Sequence, residues 1–216
     1  MNGYVLNILL NHSISIAAIV AMIRFKSIAE NFYPFIFFIW TGFINETLSL
    51  ILIFTIHSNT VNSNVYVLIE YALILLQFYK WNGCLNRRYY FLSVAGLIIW
   101  ITDNFIIHSI TDNNSIFRIY YSFVIVLFSI DQINKLIIYE RKSLLKNSTF
   151  LICTAFLIYY SCKAFVEVFN AFDLGLSNEL GRNIFMILYL ANLLSNLIYP
   201  IAIVCIPMNR EFILLY

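Results

Sequence analysis

PFIFFIWTGFINETLSLILIFTI, Pro34–Ile56, is the stretch that decides the fold. A lipid-spanning helix needs about 20 predominantly apolar residues, and this run is long enough. Its one charged residue, Glu46, sits close to the middle. A charge near a bilayer centre costs roughly 2.5–3.5 kcal/mol on insertion scales, so such residues are rare and face a bundle interior or a wet cavity. The stretch therefore reads as a membrane helix carrying a functional acid.

The same pattern recurs on both sides of it. Tyr4–Ile23, Val65–Trp81, Tyr89–Ile107, Phe117–Tyr139, Thr149–Ala171 and Ile184–Ile206 are further apolar runs. Val65–Trp81 is the shortest, and an earlier start near Val61 would lengthen it. The links are short and hold Asn, Ser and turn formers, as in His57–Asn64 and His108–Ser115. The expectation is an all-α polytopic bundle of seven transmembrane helices, one domain over residues 1–216. Composition agrees. The chain is 62% hydrophobic and 11% charged, against about 25% charged in a soluble domain. Its net charge of +2 is spread over short, separate loops, which argues against a nucleic-acid partner and for the lipid bilayer as its surroundings.

Loop charge sets an expected orientation. Arg24 and Lys26 follow the first run, and Lys80, Arg87 and Arg88 follow the third. Lys135 lies near the end of the fifth run, Arg141, Lys142 and Lys146 follow it, and Arg210 lies in the tail. The alternate links are poor in base: none in His57–Asn64, then Arg118 and Arg182 at helix starts. Lys and Arg favour the cytoplasm, so the N-terminus is expected outside and the C-terminus inside. The first run has no basic leader and no small-residue cleavage site, so it reads as a span rather than a cleaved signal.

The acids Glu46, Glu70, Asp103, Asp131 and Glu167 all lie in apolar runs, and only Lys163 shares such a run well away from its ends. Helical period groups the polar residues. Gly42, Glu46 and Ser49 share one face; Tyr66, Glu70 and Gln77 another. Ser93, Gly96, Trp100 and Asp103 form a third, and Tyr160, Lys163, Glu167 and Asn170 a fourth. Tyr189, Asn192, Asn196 and Tyr199 form a stripe ending at Pro200, and the first run adds His12 and Ser15. With the expected orientation, Glu70, Asp103, Glu167 and Asn192 fall in the outer half, and His12, Glu46, Lys163 and Asn196 near mid-depth. These eight residues are the candidate ligand-binding or proton-carrying site, a polar pocket open to the outside.

Structural readings compete with this one. Lys163 and Glu167, four apart, would neutralise each other on one helix. Asp131 and Lys135, also four apart, read as an ion pair with a snorkelling Lys. Asp103 and Arg118 read as interfacial charges, Asn192 and Asn196 as interhelical hydrogen-bond partners, and His12 as a bonded structural residue. Glu46 and Glu70 resist such readings, because neither has a basic residue within four positions. Each needs a partner from another helix, a bound cation or a proton. The surplus of acid over one Lys points to a small cationic or polar ligand.

No cofactor or metal site is expected. Cys84 lies in a basic loop and Cys153, Cys162 and Cys205 in apolar runs, with no zinc-like spacing and no expected disulfide. H-E-x-x-H, G-x-S-x-G, P-loop and dinucleotide patterns are absent, so enzyme chemistry has no sequence support. An intramembrane enzyme using other Glu and His residues stays as a third reading, behind two binding classes. A sensor or accessory subunit would pass a shift to a cytoplasmic or membrane protein partner, since the chain carries no output domain. A proton- or cation-coupled carrier is the alternative. It is disfavoured by only 6 Gly and 3 Pro, where carriers often break helices near the midplane. The N-outside seven-helix plan matches that of small sugar carriers, but the proline-glutamine motif of related families is missing. Retinal proteins share the plan too, but they carry their Lys in the seventh helix, and here it is in the sixth.

Phe32–Leu48 (FYPFIFFIWTGFINETL) and Asn64–Trp81 (NVYVLIEYALILLQFYKW) resemble stretches of small seven-helix membrane proteins of Bacteroidetes. The resemblance covers the second and third runs. It implies a multi-pass protein of a bacterial inner membrane and assigns no activity.

Overall fold

A computed structural model describes residues 12–83, 87–139, 143–172 and 178–207. Seven α-helices lie among these residues: α1 (Ile14–Arg24), α2 (Tyr33–Ile56), α3 (Thr60–Asn82), α4 (Arg87–Thr102), α5 (Ser115–Tyr139), α6 (Ser148–Phe172) and α7 (Asn178–Cys205). A π-helical turn, Asp103–Ile107, continues α4. Six of the helices, α2 to α7 with their extensions, are long and apolar enough to cross a membrane. The chain is an all-α, multi-pass membrane protein. The described α1 is the C-terminal part of the expected first span; residues 4–11 of that span lie outside the described residues, as does Cys84. The third helix does start early, at Thr60, so most of the link expected at His57–Asn64 is its first turn. α2 ends on His57 in the left-handed conformation (φ 58°), whose N–H closes onto the Ile53 carbonyl.

The packing order is a ring. α1 touches α2 and α7, α2 touches α3, α3 touches α5, α5 touches α6, and α6 touches α7. α4 packs outside this ring against α3 and α5. Burial follows: 44% of the apolar window is buried in α3, α5 and α6, but 17% in α4. The outward faces carry large apolar residues such as Ile23, Phe54, Ile106, Leu127 and Val204. A soluble protein would bury these; lipid accepts them.

Two levels of the ring interior differ in chemistry. One is aromatic. Phe35, Phe38, Phe78, Phe156 and Tyr199 meet edge-on or stacked, with centroids 5.5–6.3 Å apart, and join α2, α3, α6 and α7. Below it, polar side chains close helix ends. The Gln77 carbonyl oxygen accepts from the Phe35 N–H at 2.8 Å, a first-turn donor with no helical partner, while its amide donates to Asn31 O at 2.7 Å. The Arg24 guanidinium donates to the carbonyls of Ile203 and Val204 and so caps α7 from the end of α1. The other level is polar and holds the candidate residues.

Glycine permits two close approaches. A Cβ on Gly42 would stand 2.7 Å from Ile14 Cδ1 and 3.2 Å from Tyr66 Oη, so α2 lies close to α1 and α3 at this residue. A Cβ on Gly96 would meet the Tyr71 ring at 2.5 Å. That ring lies against α4 and donates its hydroxyl to Leu92 O of the same helix at 2.9 Å.

Candidate functional site

Glu70, on α3 and 3% exposed, is tied on both carboxylate oxygens. Tyr160 Oη donates to Oε1 at 2.8 Å, and Tyr121 Oη donates to Oε2 at 2.7 Å. Lys163 Nζ reaches Oε2 at 3.3 Å. The Lys163 ammonium also lies over the rings of Tyr121, Tyr159 and Tyr160, at 5.0, 5.1 and 5.8 Å from their centroids. A cation over aromatic faces is stabilised by the ring quadrupoles, more so when desolvated. Three helices thus converge on one neutralised pair. A buried ion pair needs such extra hydrogen bonds to offset its desolvation.

About a turn away along each helix lies a second pair. Arg118 of α5 faces Glu167 of α6, with Nη1 3.7 Å from Oε1. Ser115 Oγ donates to Glu167 Oε2 at 2.8 Å, and Asn170 donates to the same oxygen at 3.3 Å. The other guanidinium nitrogen donates to Ser63 Oγ and Asn64 Oδ1 at 2.8 and 3.1 Å. Asn64 in turn donates to the carbonyls of Ile110 and Asp112, which fixes the α4–α5 link.

Lys163 and Glu167, the four-apart pair expected on one helix, therefore turn to partners on other helices. Asp103 and Arg118 are not interfacial charges either: they are 0% and 8% exposed. Asp103 accepts from the Phe117 N–H at 2.8 Å and from His108 Nδ1 at 2.9 Å. The π-helical turn swings its carboxylate onto the first turn of α5, where a negative charge satisfies unpaired N–H groups. The Asp131–Lys135 pair does form, at 2.6 Å, with Lys135 also donating to Asn82.

Beside the Glu70 network lies a cavity of about 50 Å3. Glu46 and Glu70 both line it, together with Tyr66, Tyr159, Asn192, Asn196 and Tyr199, and with Ile14, Phe38 and Gly42 on the apolar side. Residues from α1, α2, α3, α6 and α7 meet here. Asn196 donates from Nδ2 to Ser13 Oγ at 2.9 Å and to Asn192 Oδ1 at 3.4 Å. Glu46 is half-buried and makes no hydrogen bond or ion pair with any described residue. Glu70 has its Lys and Glu167 its Arg; Glu46 has the cavity.

Four of the eight candidates, Glu46, Glu70, Asn192 and Asn196, share this cavity. Lys163 stands behind it on Glu70, and Glu167 belongs to the Arg118 layer. Asp103 is set apart as a helix cap, and His12 lies in the turn before α1, outside the cavity lining. The sequence reading passed over Tyr121 and Tyr159. Each adjoins a second Tyr, in the doublets Tyr120–Tyr121 and Tyr159–Tyr160, and Tyr121 lies three residues from Arg118. Among the described residues no three His, Cys, Asp or Glu side chains gather into a metal-binding group.

A scan for known protein families, a search of curated proteins and a search of solved structures each found no match.

Proposed function

We propose that the protein is a seven-span sensor or accessory subunit of a bacterial inner membrane, N-terminus outside and C-terminus in the cytoplasm. It binds a small cationic or polar ligand in the acidic cavity and passes the resulting shift to a protein partner. The observation that carries this reading is Glu46, which has no partner among the described residues, on a polar cavity shared by five helices. An acid held within a membrane bundle without a partner has a role in binding or proton transfer. An occupant touching five helices changes their mutual packing, which is what a sensor transmits. The first span and the orientation rest on loop charge and on α1 running beside α7, where Arg24 caps the end of α7.

A carrier is the second reading, and Pro200 favours it. Pro200 lies inside α7 and has no N–H to offer the carbonyl of Asn196, a cavity residue. A helix weakened beside a midplane site is a common carrier device. Proteoliposomes separate the two readings. Ligand-dependent change in thiol labelling at a cysteine placed at Lys146, without solute uptake, supports the sensor. Uptake that is lost in Glu46→Gln replaces it with the carrier.

A further inference from the structure

We infer that the cavity beside Glu46 is a site for one small monovalent inorganic cation, an alkali ion or ammonium, held by oxygen ligands. The inference deepens the ligand-binding reading above and rests on it.

Size gives the first argument. A cavity of about 50 Å3 has room for a few water-sized particles, since one water needs about 10–15 Å3 measured this way. Sites for organic ligands run to roughly 300–1,000 Å3. A sugar or an amino acid does not fit; an ion with a water or two does.

Charge is the second. Glu70 is matched by Lys163 and Glu167 by Arg118. Glu46, when ionised, leaves one negative charge on the cavity with no described partner. A single positive charge neutralises it, whereas a divalent ion would leave a net charge in a low-dielectric interior.

Ligand chemistry is the third. Tyr199 and Asn196 are 2% and 3% exposed and line the cavity, yet the Tyr199 hydroxyl and the Asn196 side-chain carbonyl bond to no described residue. Both residues line the cavity, so these two oxygens are available to an occupant. The Asn196 amide nitrogen is already engaged by Ser13 and Asn192, and its oxygen has no partner among the described residues. A carboxylate, an amide carbonyl and a phenol oxygen are hard donors, suited to alkali ions and, as acceptors, to ammonium. Among the described residues, no imidazole or thiolate, which would select transition metals, lines the cavity.

The test is equilibrium binding of radioactive sodium and rubidium to the full chain in lipid nanodiscs. The expected result is saturable binding of about one ion per chain, displaced by sodium, potassium or ammonium and not by tetramethylammonium. Glu46→Gln is expected to weaken it at least tenfold, and Tyr199→Phe, which removes one hydroxyl and keeps the ring packing, severalfold. Asp131→Asn, far from the cavity, leaves it unchanged. Absence of saturable binding, full binding in both Glu46→Gln and Tyr199→Phe, or equal displacement by tetramethylammonium overturns the proposal. If Glu46→Gln does not fold, Tyr199→Phe decides alone. Failure here is distinct from failure of the sensor reading. Stabilisation by a small organic solute, lost in Glu46→Gln, removes the ion and keeps the sensor; ion binding with no change in Lys146-site labelling does the reverse.

Discussion

Glu70 and Glu46 line the same cavity from neighbouring helices, and their surroundings are opposite. Glu70 has two tyrosine hydroxyls and an ammonium on its oxygens. Glu46 has no described partner and faces the void. One carboxylate is bound into the packing of α3, α5 and α6; the other is left for something from outside. An intramembrane acid therefore serves structure or function according to what faces it, and substitutions at the two positions should separate these roles.

The largest effect is expected at Glu70. Glu70→Gln leaves Lys163 buried beside a neutral amide, and breaking one side of a buried pair costs about 3–5 kcal/mol. Thermal unfolding in detergent checks it, and Lys163→Met added to Glu70→Gln should recover much of the loss. The next effect belongs to Asp103. Asp103→Ala removes the acceptor of the Phe117 N–H and the His108 partner, a cap loss of about 1–2 kcal/mol with early opening of the α4–α5 link in hydrogen exchange. Gly42→Ala comes third, at about 1 kcal/mol, because its Cβ meets the movable end of Ile14. It should also press on Tyr66 Oη and narrow the cavity, so ligand affinity falls more than stability does. The smallest stability effect is expected at Glu46. Glu46→Gln removes a carboxyl with no partner among the described residues, and unfolding should move by less than about 0.5 kcal/mol or toward greater stability. Equal losses at Glu46 and Glu70 would erase the distinction.

The helical frame was legible because membrane spans are written as uninterrupted apolar runs, and Pro34–Ile56 and Thr149–Ala171 fall within a residue or two of α2 and α6. The start of α3 was harder to see. Thr60, Asn62 and Asn64 look like a loop, but Asn62 bonds to Asn45 and Ser49, and Asn64 bonds to Arg118. Those partners lie on other helices, and a sequence does not show which helices meet. The same blindness affected the charges. Period alone matched Lys163 with Glu167, while the bundle matched each with a residue 93 or 49 positions away. Glu46 and Glu70 sharing a cavity was anticipated, because two acids without local partners must find an environment inside the bundle. The tyrosine cage around Lys163 was not, since tyrosine is common in this chain and its doublets carry no charge signal.

The most direct measurement is the thermal unfolding of Glu46→Gln and Glu70→Gln beside the parent chain, in one detergent. The account predicts Glu46→Gln within about 2 °C of the parent and Glu70→Gln lower by roughly 6–20 °C, the shift that a 3–5 kcal/mol loss gives in a chain of this length. A Glu46→Gln protein as unstable as Glu70→Gln would contradict it, and would make Glu46 one more structural carboxylate.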